Sequence, residues 1–145
     1  MRWLLVIALA AAAVPATAHA AEVDLMVVGK ERVLRAPTEV RLKVRTAKVA
    51  GRRCRLGAAT PLSVLVATKL KLGLRDYGRC GKRPRDAAGL YVTRVKQERE
   101  KGRGGWVYKI GRRTPSLGAA DLTRKLIRAG ADVRARSLTY PQTVV

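Results

Sequence analysis

The chain has 145 residues, enough for one domain with its own core, and 31 lysines and arginines against 10 aspartates and glutamates give it a formal net charge of +21. Its one histidine, His19, lies in an amino-terminal leader-like stretch, so the rest of the chain has no imidazole for a Ser-His or Cys-His nucleophile pair. No Walker, dinucleotide or zinc spacing occurs and no two carboxylates form a recognisable catalytic pair, which argues against an enzyme.

In chain order, Arg2 supplies a short positive region, Trp3 to Val14 runs apolar, Pro15 breaks the run, and Ala18-His19-Ala20 is a small-x-small cleavage site. This pattern predicts a secretory signal peptide over 1–20 and a single exported domain over 21–145 with a charge of +20, since only Arg2 is lost. The apolar run is shorter than the ~20 residues that span a bilayer, and no later stretch approaches that length, so the mature chain is expected to have no transmembrane segment. Cys54 and Cys80 both fall in the exported part, where an even count predicts one disulfide; their spacing and the missing histidine speak against a metal site, and no cofactor is expected.

Val23 to Val28 and Arg32 to Leu34 flank Gly29-Lys30-Glu31 and predict a strand pair or one bent strand, broken at Pro37. Val40 to Val49 alternates, with Val40, Leu42 and Val44 on one face and Arg41, Lys43 and Arg45 on the other, which predicts a half-buried strand with a basic outer face. Gly51 to Ala59 reads as a basic loop carrying Arg52, Arg53, Cys54 and Arg55. Thr60-Pro61 is an N-cap followed by proline at the first helical position, and Leu62, Leu65, Val66 and Leu70 predict a helix of about three turns that stops at Gly73.

Leu74 to Ala88 is rich in turn residues and reads as a loop, Leu90 to Val95 as a strand, and Gln97 to Gly105 as a charged hairpin loop leading into Gly105-Trp-Val-Tyr-Lys-Ile-Gly111. In that last segment Trp106, Tyr108 and Ile110 share a face at period two, which predicts a strand. Asp121 is a candidate cap for a turn or short helix through Leu122, Leu126 and Ile127, Gly130-Ala131-Asp132 a turn, and Val133 to Leu138 a weak last strand. With no phenylalanine in the chain, Trp106 is expected in the core and Tyr108 shares its face; the competing assignment puts both, with Tyr91, at a ligand-binding surface.

The order of these features, a basic strand, Cys54, the Thr60-Pro61-Leu62 helix start, the Asp76-Tyr77-Gly78 loop, the Leu90-Tyr91-Val92 strand, Gly105-Trp106-Val107-Tyr108, and Gly130, Asp132 and Val133, resembles the transcobalamin C-terminal-like domain family over residues 38–135. The resemblance implies a small β-grasp-like α+β fold, an antiparallel or mixed sheet with one main helix packed on it, and non-catalytic recognition. In the transcobalamin relatives the domain is one half of a cobalamin clamp, and the other half, an α-barrel, has no counterpart in this sequence. The basic Val133–Leu138 segment also departs from the aromatic, apolar closing strand of that family.

Two functional expectations follow. One is a secreted, non-enzymatic module that recognises a small molecule or glycan near Tyr91, Trp106 and Tyr108. The other is a polyanion-binding or cell-envelope-associated protein acting through Arg41, Lys43, Arg45, Arg52, Arg53 and Arg55, attracted by charge and without specific nucleic-acid recognition.

Overall fold

The computed structural model describes residues 21–102, 104–115 and 119–120, and the strand backbone of 132–138. The signal peptide expected over 1–20 and the short helix expected after Asp121 lie outside the described residues.

Strands β1 (Glu22–Val28) and β2 (Val33–Arg41) form an antiparallel hairpin, closed by the Gly29 N–H donating to the Arg32 carbonyl at 2.8 Å. Pro37 does not end the second strand, as the sequence suggested. β2 is the edge of its sheet, where a residue without an N–H breaks no ladder, and the register shifts between Leu25 and Val27 absorb the irregularity.

The single strand expected over Val40–Val49 is two. β2 ends at Arg41, the chain crosses over through Leu42–Val44, and β3 (Arg45–Val49) begins a second sheet. The buried positions change parity across the break, from Val40 to Ala47 and Val49, and Val44 is left 44% exposed. The basic loop expected next is a strand, β4 (Arg52–Leu56), paired with β3. Ala50 and Gly51 make the tight turn with φ of 47° and 79°, the left-handed pair that a two-residue hairpin needs. Cys54 and Leu56 point inward at 0% exposure while Arg53 and Arg55 face solvent, so the strand alternates despite its charge.

The one α-helix, α1 (Pro61–Ala67), starts where the sequence placed it but has seven residues rather than three turns. The fully buried Thr60 accepts from the Ser63 N–H (3.3 Å) and donates to the Gly57 carbonyl (2.9 Å), and Leu62 N–H donates to the Ala119 carbonyl at 2.8 Å. Lys69, in the left-handed region at φ 57°, ends the helix four residues ahead of Gly73, which belongs to the next strand. Thr60→Ala is expected to cost about 1–2 kcal/mol, because it removes a cap and leaves buried groups without partners. An unchanged denaturation midpoint would show that the cap does not stabilise the helix.

A third, antiparallel sheet follows, from β5 (Leu72–Asp76), β6 (Leu90–Val95) and β7 (Glu98–Arg99), with a 3-10 turn at Pro84–Ala87 in the β5–β6 connection. The connection therefore begins at Tyr77, since Leu74–Asp76, expected in a loop, is strand. β8 (Gly105–Ile110) does not pair with β6, as the expected hairpin required; it pairs with β9 (Asp132–Leu138). β9, expected only as a weak last strand, is an interior strand, parallel to β1 on one side and antiparallel to β8 on the other, giving the order β2-β1-β9-β8.

The result is a small α+β fold of mostly antiparallel sheets. One core takes Val23, Leu25 and Val27 from β1, Leu56 from β4, Leu62, Val64 and Leu65 from α1, Leu90, Val92 and Val95 from β6, and Trp106 from β8.

Candidate functional site

The β5–β6 register sets Arg75 opposite Tyr91 on the outward side of that hairpin, while Leu90 and Val92 turn into the core. Tyr77 follows β5 directly, its N–H donating to the Gly89 carbonyl at 2.9 Å. Its ring meets Tyr91 edge to face, with centroids 6.3 Å apart at 65°. The Arg75 guanidinium lies 5.6 Å from the Tyr77 centroid and donates to the Tyr77 hydroxyl at 3.4 Å, an interaction that raises the arginine's pKa. Tyr77 is 69% and Tyr91 37% exposed, so two aromatic rings and a cation share one solvent-facing platform.

The support beneath this platform is tightly bonded. The Asp76 carboxylate, its side chain 3% exposed, accepts the backbone N–H groups of Gly78 (2.9 Å) and Cys80 (3.0 Å) and the Arg52 guanidinium (3.2 Å). The Cys54–Cys80 disulfide ties the same loop to β4, with Cα atoms 5.1 Å apart. Gly89 packs so closely on the loop that a Cβ there would lie 2.6 Å from the Gly78 nitrogen, which only glycine accommodates. Beside the platform is an open hollow of about 480 Å³ whose lining includes Arg52, Arg75, Thr93 and Glu100. Ligand sites commonly have such volumes. The groups assembled here offer stacking faces, a guanidinium and hydrogen-bonding atoms.

Of the aromatics singled out in the sequence, Tyr91 is on the platform, Trp106 is in the core at 9% exposure, and Tyr108 is half-buried on the same strand. The Tyr91 hydroxyl reaches the start of that strand: a Cβ on Gly105 would come within 2.7 Å of it, so the glycine makes room for the ring. In the sequence Tyr77 stands among turn residues, between Asp76 and Gly78. Its signal was its place two residues after an alternating arginine, which becomes readable once Leu72–Asp76 is recognised as a strand.

The six basic residues do not make one surface. Arg53 and Arg55 share the outward face of the β3–β4 hairpin with Thr46 and Lys48, a lysine that sequence reasoning passed over. Arg52 is on the other face, paired with Asp76, and Arg45 donates to the Arg41 carbonyl at 3.2 Å. Lys43 is exposed in the crossover. Arg41 sits on β2 beside Glu22 (3.4 Å), in an acidic neighbourhood where Glu39 lies opposite Asp24. There the Glu39 carboxyl is pushed up, first by its hydrogen bond with Glu22 and then by that carboxylate's charge.

Among the described residues no three His, Cys, Asp or Glu side chains come together as a metal site, and no helix is long and apolar enough to cross a membrane. Compared with models of known protein families and with curated proteins, the chain matches none.

Proposed function

We propose that this protein is an extracytoplasmic, non-enzymatic recognition module that binds a glycan or another polar small molecule on the Tyr77–Tyr91–Arg75 platform. The observation that carries the reading is the exposed aromatic pair with its arginine, held on a loop fastened by Asp76 and a disulfide. A rigid support matters because side chains fixed before binding lose less entropy on binding. The leader pattern at 1–20 and the disulfide both favour an exported protein. The resemblance to the transcobalamin C-terminal-like family points the same way. The β2-β1-β9-β8 sheet, mixed because β1 and β9 run parallel, is compatible with the mixed sheet that this resemblance implies.

The test is calorimetric titration of the oxidised protein with soluble glycans, small metabolites and a corrinoid, at low and high salt. Binding of one ligand should persist at high salt and weaken by about tenfold or more in Tyr77→Ala, the scale of an aromatic hot spot. Tyr77 is largely exposed, so this substitution should leave folding intact. Undiminished binding by Tyr77→Ala would remove the platform from the proposal. A second reading is supported by Lys48, Arg53 and Arg55 on one hairpin face: a polyanion-binding or envelope-associated protein. It would show as binding to inorganic polyphosphate alone, falling steeply with salt and insensitive to Tyr77→Ala.

A further inference from the structure

A different surface holds a groove that neither reading uses. Three segments converge on it: the start of β2, the stretch between α1 and β5, and the β6–β7 turn. Its volume is about 490 Å³, within the range of small-molecule sites. Leu34, 6% exposed, and the partly buried Leu70 form an aliphatic floor, extended toward solvent by Val33 at 54% exposure. Arg32, Lys69, Lys71 and Lys96 surround it, and no carboxylate is among the described residues that line it. The nearby acids are Glu31, exposed and adjacent to Arg32, and Glu98, whose carboxylate accepts the Lys30 N–H at 2.9 Å and lies against Gly29. The walls are joined by the Lys96 N–H donating to the Lys71 carbonyl at 2.7 Å.

The backbone adds a second, independent observation. Among the described residues three that are not glycine have positive φ, and two of them, Lys69 (57°) and Lys96 (54°), line this groove. Glycine is the favoured residue at both kinds of position, after a helix and in a hairpin turn. A long cationic side chain there costs backbone energy that glycine would not, and strain of this kind concentrates at binding sites.

We propose that this groove binds an anionic single-chain amphiphile, its head group among the four cations and its alkyl chain along Leu34, Leu70 and Val33. Charge complementarity selects the head group, and the aliphatic floor selects a chain over a bare anion.

The test is titration of the full oxidised chain with dodecyl phosphate below its micelle-forming concentration, followed by amide NMR. Inorganic phosphate, dodecyl maltoside and anionic phospholipid vesicles serve as comparison probes. Saturable shifts are expected at residues 32–34, 69–71 and 96–97, with inorganic phosphate and the maltoside each binding at least about tenfold more weakly. The Lys69→Gly/Lys96→Gly double variant should keep or raise the melting temperature, because glycine suits both conformations, yet bind dodecyl phosphate about tenfold more weakly or worse. Arg32→Gln/Lys71→Gln, at exposed side chains, gives the same reading without touching the strained positions. Equal affinity for inorganic phosphate, binding to vesicles only, or undiminished binding by both double variants would each overturn the proposal.

Discussion

Trp106→Ala is expected to remove about 3–5 kcal/mol of stability, the usual cost of truncating a buried aromatic. Trp106 is the largest side chain of a core that has no phenylalanine, and at 9% exposure it packs with aliphatic residues from both terminal halves of the described chain. Truncation removes the whole indole from a packed core, so a cavity term adds to the lost transfer energy. A domain of this size has only about 5–15 kcal/mol in total, so the variant should unfold at markedly lower denaturant. Trp106→Phe should cost much less. The indole Nε1 is buried with no hydrogen-bond partner among the described residues, so its removal relieves a desolvation cost while most of the apolar area stays. Equal midpoints for the parent and Trp106→Ala would refute a core role.

Breaking the Cys54–Cys80 disulfide is expected to cost roughly 3.5 kcal/mol, the chain-entropy value for the 26-residue separation it spans. Both cysteines are buried, at 0% and 5% exposure, and join β4 to the loop that presents Tyr77. The Asp76 hydrogen bonds to Gly78 and Cys80 continue that fastening, so the bridge supports the platform as well as the fold. Cys54→Ala/Cys80→Ala should melt well below the oxidised parent and, where it still folds, bind the platform's ligand more weakly. Identical melting with and without reductant would rule out a stabilising bridge.

Local signals in the sequence were reliable where one or two residues decide the outcome. Thr60-Pro61 marked the helix start because an N-cap and a proline at the first turn act through neighbouring backbone groups. The alternation at Gly105–Ile110 gave a strand with Trp106 inward, and of the two alternatives left open around Gly29-Lys30-Glu31, a strand pair or one bent strand, the structure has the pair. The break inside Val40–Val49 was also legible: the alternation lapses at Arg45-Thr46, two polar residues in a row, after which the apolar positions move to Ala47 and Val49, the residues that are buried. β4 was missed because Arg-Arg-Cys-Arg-Leu does not read as a strand until Cys54 and Leu56 are known to face inward.

What the sequence by itself determined was local: the cap of α1, the strand at Trp106, the cysteines available to pair, and an excess of positive charge. Pairing of distant segments was decided only by tertiary structure. Val133–Leu138, too basic to read as interior, lies between β1 and β8, its backbone in register with Leu25 and Val27 on one side and with Tyr108 and Ile110 on the other, a placement that long-range pairing decides. Tyr77 and Tyr91 meet for the same reason. A residue pair 14 positions apart becomes one surface only when β5 and β6 align and the loop between them is fastened down. Short-range propensity acts through neighbours in the chain, whereas burial and register act through neighbours in space, which the order of residues does not name.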